Sequence, residues 1–110
     1  MKAEEKQLLN EKIDEEMVRL NHEIELLVEQ TKPVAPDRAI GRLTRMEAIN
    51  AKSIAEANLR NARSRVTKLE QALTRVDDED FGICTRCERP IPYKRILLVP
   101  ESTRCVRCAG

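Results

Sequence analysis

From Ala3 to about Gln30 the chain has neither glycine nor proline, and its apolar positions fall at Leu9, Ile13, Met17, Leu20, Ile24 and Leu27. Steps of three and four residues keep these side chains on one face of a helix. At 1.5 Å per residue such a helix is roughly 40 Å long. A second periodic run passes through Ala48, Ala51, Ala55, Leu59, Ala62, Val66, Leu69, Leu73 and Val76. Its alternating steps make a heptad-like seam, small at the start and large at the end, so close helix approach is expected near residues 48–55. This run predicts a second helix from about Asp37 to Asp80. Phe81 and Gly82 supply its stop, with Gly82 free to turn left-handed. Ser53, Asn58 and His22 are expected to face water.

Between the two runs stands "TKPVAPDRA", residues 31–39. Pro33 and Pro36 push Lys32 and Ala35 away from helical geometry, which ends the first helix. Proline is well tolerated in a first turn, so Pro36 also suits the start of the second. Asp37 then lies where backbone N–H groups are unpaired and the helix dipole favours negative charge. A short connection between amphipathic helices implies an antiparallel hairpin. With the turn centred near residue 34, Leu9 faces about Leu59 and the first helix runs out opposite about residue 66. Val66, Leu69, Leu73 and Val76 then need cover from the C-terminal segment or from a second copy of the chain.

"CTRC" at 84–87 and "CVRC" at 105–108 are separated by seventeen residues. Two C-x2-C pairs at this spacing suit a four-thiolate zinc site of Cys84, Cys87, Cys105 and Cys108. Each pair forms a tight knuckle, and four protein ligands close the tetrahedron, leaving no position for a reacting water. The site therefore reads as structural. An iron centre on the same ligands, or a pair of redox disulfides, satisfies the same spacing. Ile91, Ile96, Leu97, Leu98 and Val99 form either the core of this small module or a cover for the end of the second helix.

Composition narrows the picture. Of 110 residues, 35% are charged and 2% aromatic, too little bulk for a large globular core. The expected fold is mainly α: a long antiparallel coiled-coil hairpin over residues 1–81, with its tip at about 31–39, then a four-cysteine zinc finger over 82–110. No apolar run is long enough to span a bilayer, and the first residues lack an apolar leader core, so a reducing cytoplasm is expected. The net charge of +1 divides unevenly: −5 over residues 1–30, +2 over 31–80 and +4 over 81–110. Arg86, Arg89, Arg104 and Arg107 around the knuckles either neutralise the thiolates or form a basic face for nucleic acid, a phosphorylated ligand or an acidic protein. Scarce aromatics argue against single-strand readout by stacking. The acids at 77–80 would oppose the dipole at a helix C-terminus, unless they pair with the basic module.

The segment "FGICTRCERPIPYKRILLVPESTRCVRC" resembles the DksA/TraR family, with its aromatic-Gly-Ile-Cys lead-in, "PIPYKR" and second cysteine pair. "PDRA" is similar to the end of that family's tip motif, D-x-x-D-x-A. The chain looks like a short member without the extra N-terminal helix of longer ones. The resemblance implies a bacterial transcription regulator, not an enzyme, that inserts its hairpin into the secondary channel of RNA polymerase. It implies no sequence-specific DNA binding, and longer members act with guanosine tetraphosphate. Carried over, the second motif acid is Asp37 and the motif alanine is Ala39, with Arg38 between them. The first motif acid falls on Val34, which cannot serve as a carboxylate. One acid holds a second catalytic metal poorly, so stimulation of transcript cleavage is not expected. The alternative is an adaptor that dimerises through its coiled coil, with zinc serving only the fold.

Overall fold

The computed structural model of the chain describes residues 2–33 and 45–109; the tip positions Val34, Asp37, Arg38 and Ala39 lie outside them. Among the described residues four helices follow in order: α1 (Ala3–Gln30), α2 (Arg45–Arg75), α3 (Tyr93–Leu98) and α4 (Val106–Ala109). The molecule is elongated, measuring 57 × 27 × 18 Å. Among the described residues, no helix is long and apolar enough to cross a membrane.

Helix α1 opens with the Lys2 backbone N–H donating to the Glu5 carboxylate at 3.1 Å, and Glu4 and Glu5 favour its positive end. It closes at Thr31, whose N–H donates to the Leu27 carbonyl at 3.0 Å and whose hydroxyl donates to the Val28 carbonyl at 2.9 Å. The end of α1 thus falls where the first proline requires it. Leu9, Ile13, Leu20 and Leu27 are buried, and Met17 and Ile24 pack partly buried against them, so the predicted stripe is the face that folds inward. On α2, Ala55, Leu59, Ala62 and Leu69 are buried, as is Val76 just past its end, with Val66 and Leu73 at the margin. Ala72 is also buried, whereas Ala51 is exposed. Ser53, Asn58 and His22 face solvent as expected.

The hairpin register departs from expectation. Arg65 Nη1 of α2 donates to Glu16 Oε1 of α1 at 2.7 Å, which sets these residues side by side. In an antiparallel pair, a step back along α1 matches a step forward along α2, so Leu9 comes level with about Ala72, roughly three and a half turns beyond Leu59. Leu9, Ile13, Leu69 and Ala72 are all fully buried, as this register demands. Helix α1 therefore does not run out opposite residue 66. It covers the second half of α2 within the same chain.

The end of α2 also differs. The helix stops at Arg75, and residues 77–80 lie in turns beyond it instead of in its last turn. The Asp78 N–H donates to the Arg75 carbonyl, Phe81 to Asp78 and Ile83 to Asp80, a chain of four-residue turns. Four carboxylates at the negative end of a helix would be unfavourable, and the turns move them into water. All four are exposed, and among the described residues none pairs with the basic module. Gly82 is left-handed, at φ 88°, but it turns the chain into the first cysteine knuckle and does not cap the helix.

The C-terminal segment docks on the open end of the hairpin. Ile91, Ile96 and Cys84 belong to the same apolar cluster as Leu69 and Val76, with Phe81 and Leu97 packed against it. The apolar run after "PIPYKR" is thus both the module's own core and a cover for α2. Leu98 is the exception, pointing outward at 74% exposure. The Tyr93 hydroxyl donates to the Glu5 carbonyl at 3.0 Å, fastening α3 to the first turns of α1.

Candidate metal centre

The first knuckle follows from its turn chemistry. The Cys84 N–H donates to the Arg89 carbonyl at 2.9 Å and the Glu88 N–H returns to the Cys84 carbonyl at 3.0 Å. A short antiparallel bridge pairs Ile83 with Pro90, and the Ile91 N–H reaches the Gly82 carbonyl at 2.7 Å. Closing so tight a loop places Glu88 in the left-handed region, at φ 62°. A side chain there costs roughly 1 kcal/mol. Glu88→Gly is accordingly expected to raise stability by up to about 1 kcal/mol, read as a higher denaturant midpoint for the zinc-loaded protein. An unchanged or lower midpoint would contradict the strain.

The second knuckle is built on α4, where the Cys108 and Ala109 N–H groups donate to the Cys105 carbonyl at 3.1 and 2.9 Å. The knuckles are joined by the Thr85 N–H donating to the Thr103 carbonyl at 2.9 Å. Together these bonds bring the sulfurs of Cys84, Cys87, Cys105 and Cys108 within 4.8 Å of one another. The four cysteines named from spacing therefore form one cluster. Cys84 is fully buried and Cys87 is the most open.

The donor set fits zinc. Tetrahedral Zn–S bonds of about 2.3 Å require sulfurs about 3.8 Å apart. The Cys87 and Cys105 sulfurs stand 3.7 Å apart, too far for a disulfide, and all four cysteines are free. The electrostatics agree. Backbone N–H groups of Cys87 and Cys105, with a smaller contribution from Arg86, lower the Cys84 pKa to about 5. The Cys105 thiol is lowered too, chiefly by the Cys108 backbone N–H. Cys108 is pushed up to about 12, first by its hydrogen bond with Cys105. Like charges at this distance cannot all form unaided, and a divalent cation removes that conflict. With four sulfurs on one ion no coordination position is left for substrate, so the centre holds structure.

Arg86, Arg89, Arg104 and Arg107 are all exposed and form no ion pairs among the described residues. They present outward charge and are not folded onto the sulfurs. Sequence reading missed two features here. Helix α3 is bracketed by Pro92 at its start and the buried Pro100 after its end, a punctuation that could have revealed it. The other is an ion-pair bridge: Arg65 holds Glu16 through Nη1 and Glu101 of the module through Nε, each at 2.7 Å. Hydrogen bonds, from Arg19 first and Arg65 after it, keep the Glu16 carboxyl below its ordinary pKa. No local pattern signals a bridge whose members lie 36 and 49 residues apart.

Comparison with known proteins agrees with this geometry. Residues 79–110 match the prokaryotic dksA/traR C4-type zinc finger. Over 85 residues the chain is 29% identical to an uncharacterised protein of Aquifex aeolicus, covering 76% of this chain and 54% of that protein. It is 37% identical over 46 residues to the RNA polymerase-binding transcription factor DksA of Escherichia coli strain K12, covering 42% of this chain and 30% of DksA. The chain thus spans about half the length, or less, of these relatives. In fold it is similar to transcription factor DksA2 from Pseudomonas aeruginosa, with a TM-score of 0.64 over 96% of this chain and 77% of that one, at 22% identity. The class defined by these features is a helical hairpin carrying a C4 zinc finger. The finger is thus of the dksA/traR C4 type, and its four clustered cysteines suit one zinc ion.

Proposed function

We propose that the chain is a transcription regulator that binds bacterial RNA polymerase by inserting its hairpin into the secondary channel. The carrying observation is the union of a dksA/traR-type finger with a slender hairpin, since the finger stiffens the base from which a narrow rod projects. In this reading residues 1–81 are the inserting hairpin and residues 82–110 the finger. Cys84, Cys87, Cys105 and Cys108 hold zinc, while Asp37, Ala39, Val34 and Arg38 meet the polymerase at the tip. The protein acts by binding and is not an enzyme. The adaptor reading drew on a stripe at Val66, Leu69, Leu73 and Val76 left for a second copy, and α1 and the finger now cover that stripe.

The test is transcription in vitro with purified polymerase, with and without guanosine tetraphosphate. Asp37→Asn is expected to weaken the effect several-fold without changing polymerase affinity by more than about tenfold, the worth of one charge-assisted hydrogen bond. Val34→Asp restores a second tip acid and is expected to change the promoter response while leaving stability untouched. Absence of binding to core polymerase at micromolar concentration, or binding indifferent to another factor occupying the channel, would overturn the reading.

A further inference from the structure

A cavity of about 570 Å³ lies between the finger and the turns that follow α2. Pockets that hold ligands commonly measure about 300–1,000 Å³ and combine an apolar lining with a few converging polar groups. This one has both. Ile91 and Ile96, both buried, and the half-buried Phe81 line it together with Asp78, Asp80 and Glu88. The three acids are exposed, and none of them has a cationic partner among the described residues. Arg75 is the one cation in the described lining, and its Nε is turned back to the Gln71 carbonyl of its own helix at 3.4 Å. Of the four clustered cysteines Cys84 alone lines the cavity, so it is not the space of the metal. The acids are selected as well. Asp78 and Asp80 line the cavity, and their carbonyls accept the turn bonds from Phe81 and Ile83, whereas Asp77 and Glu79 are not in the lining. Glu88 stands at a left-handed position, φ 62°, that glycine would fill at less cost, so the turn itself does not call for a carboxylate there.

From this combination we propose that the cavity takes a peptide segment of a partner protein in which a basic side chain stands next to an apolar one. The apolar side chain covers Phe81, Ile91 and Ile96, and the guanidinium or ammonium group lies among Asp78, Asp80 and Glu88. Charge decides against the alternatives. Like charges gathered at a partly apolar wall repel one another, and a cation with an apolar body both relieves the repulsion and covers the wall. A polyamine satisfies the carboxylates but leaves the apolar lining in water. An acidic or wholly apolar segment brings nothing to the carboxylates and removes water from them, which is costly. This inference concerns the isolated chain and does not depend on polymerase binding.

The probe is a blocked peptide, acetyl-Leu-Arg-Leu-Arg-amide, titrated calorimetrically into the zinc-loaded full chain. Saturable binding below millimolar concentration is expected. The double variant Asp78→Asn, Asp80→Asn should weaken it at least about fivefold, and Glu88→Gln, which keeps the side chain's shape, about threefold. The double variant Asp77→Asn, Glu79→Gln removes the same charge outside the lining and should change affinity by less than about twofold. Replacing the peptide's leucines by glycine should abolish binding, and spermidine should not bind saturably. Circular dichroism and zinc content confirm that each variant is folded. Absence of saturable binding by the peptide overturns the proposal, as do equal losses in the two double variants. Equal binding of the glycine peptide or of spermidine overturns it too, since charge alone then suffices. So does a dimer of the chain that is lost with Asp78→Asn, Asp80→Asn, because a second copy then fills the cavity.

Discussion

Stripping zinc, by chelation or by Cys84→Ser, is expected to unfold residues 82–109 and to loosen the base of the hairpin. A four-thiolate zinc site supplies on the order of 10 kcal/mol to folding, the largest single contribution anticipated in this chain. Little else holds the finger together. Its helices α3 and α4 are six and four residues long, far below the roughly 12–15 needed for an isolated helix to persist. Its sheet content among the described residues is the one bridge between Ile83 and Pro90. Hydrogen exchange should show protection lost at the Cys84, Glu88 and Ile91 amides, which are the bonds that shape the first knuckle. Exchange should also quicken near Leu69 and Val76, which share their apolar cluster with Ile91 and Ile96. Native mass spectrometry should count one zinc per chain. Finger amides that stay protected in the metal-free protein, or disulfides in protein kept reduced, would count against a zinc-dependent finger.

Leu69→Ala is expected to cost about 3–5 kcal/mol, the range for emptying a fully buried leucine site. Leu69 is fully buried in an apolar cluster to which α1, α2 and the finger all contribute, so its surroundings relax only in part into the cavity. Leu98→Ala serves as the contrast: with 74% of Leu98 exposed, the change should stay within about 0.5 kcal/mol. Urea midpoints of the two zinc-loaded variants give the comparison. The pair Leu9→Ala and Leu69→Ala tests the register as well. The Glu16–Arg65 contact brings Leu9 level with about Ala72, within one turn of Leu69, so the double variant should lose less than the sum of the singles. Strict additivity, or a small cost at Leu69, would restore the register in which α1 stops short.

Much of this arrangement is legible in the sequence because it rests on local physics. The stripe on α1 follows from helical periodicity, and its end at Thr31 follows from Pro33. The four-cysteine cluster follows from ligand spacing, because a tetrahedral ion dictates which sulfurs must meet wherever the intervening seventeen residues travel. The charge distribution also carried through, with the knuckle arginines exposed on the basic end.

What the sequence by itself determined, then, was two amphipathic helices, the break between them and a metal-binding module. Only the tertiary structure decided how they slide against one another. Both seams repeat every three or four residues, so displacing the hairpin by whole turns still sets apolar against apolar, and periodicity cannot choose among such registers. The choice falls to contacts between distant residues: Arg65 on Glu16 and Glu101, Tyr93 on Glu5, and the apolar cluster that the finger's isoleucines share with both long helices. Such pairings depend on which surfaces remain after the helices have met, and that information exists only once the chain has folded.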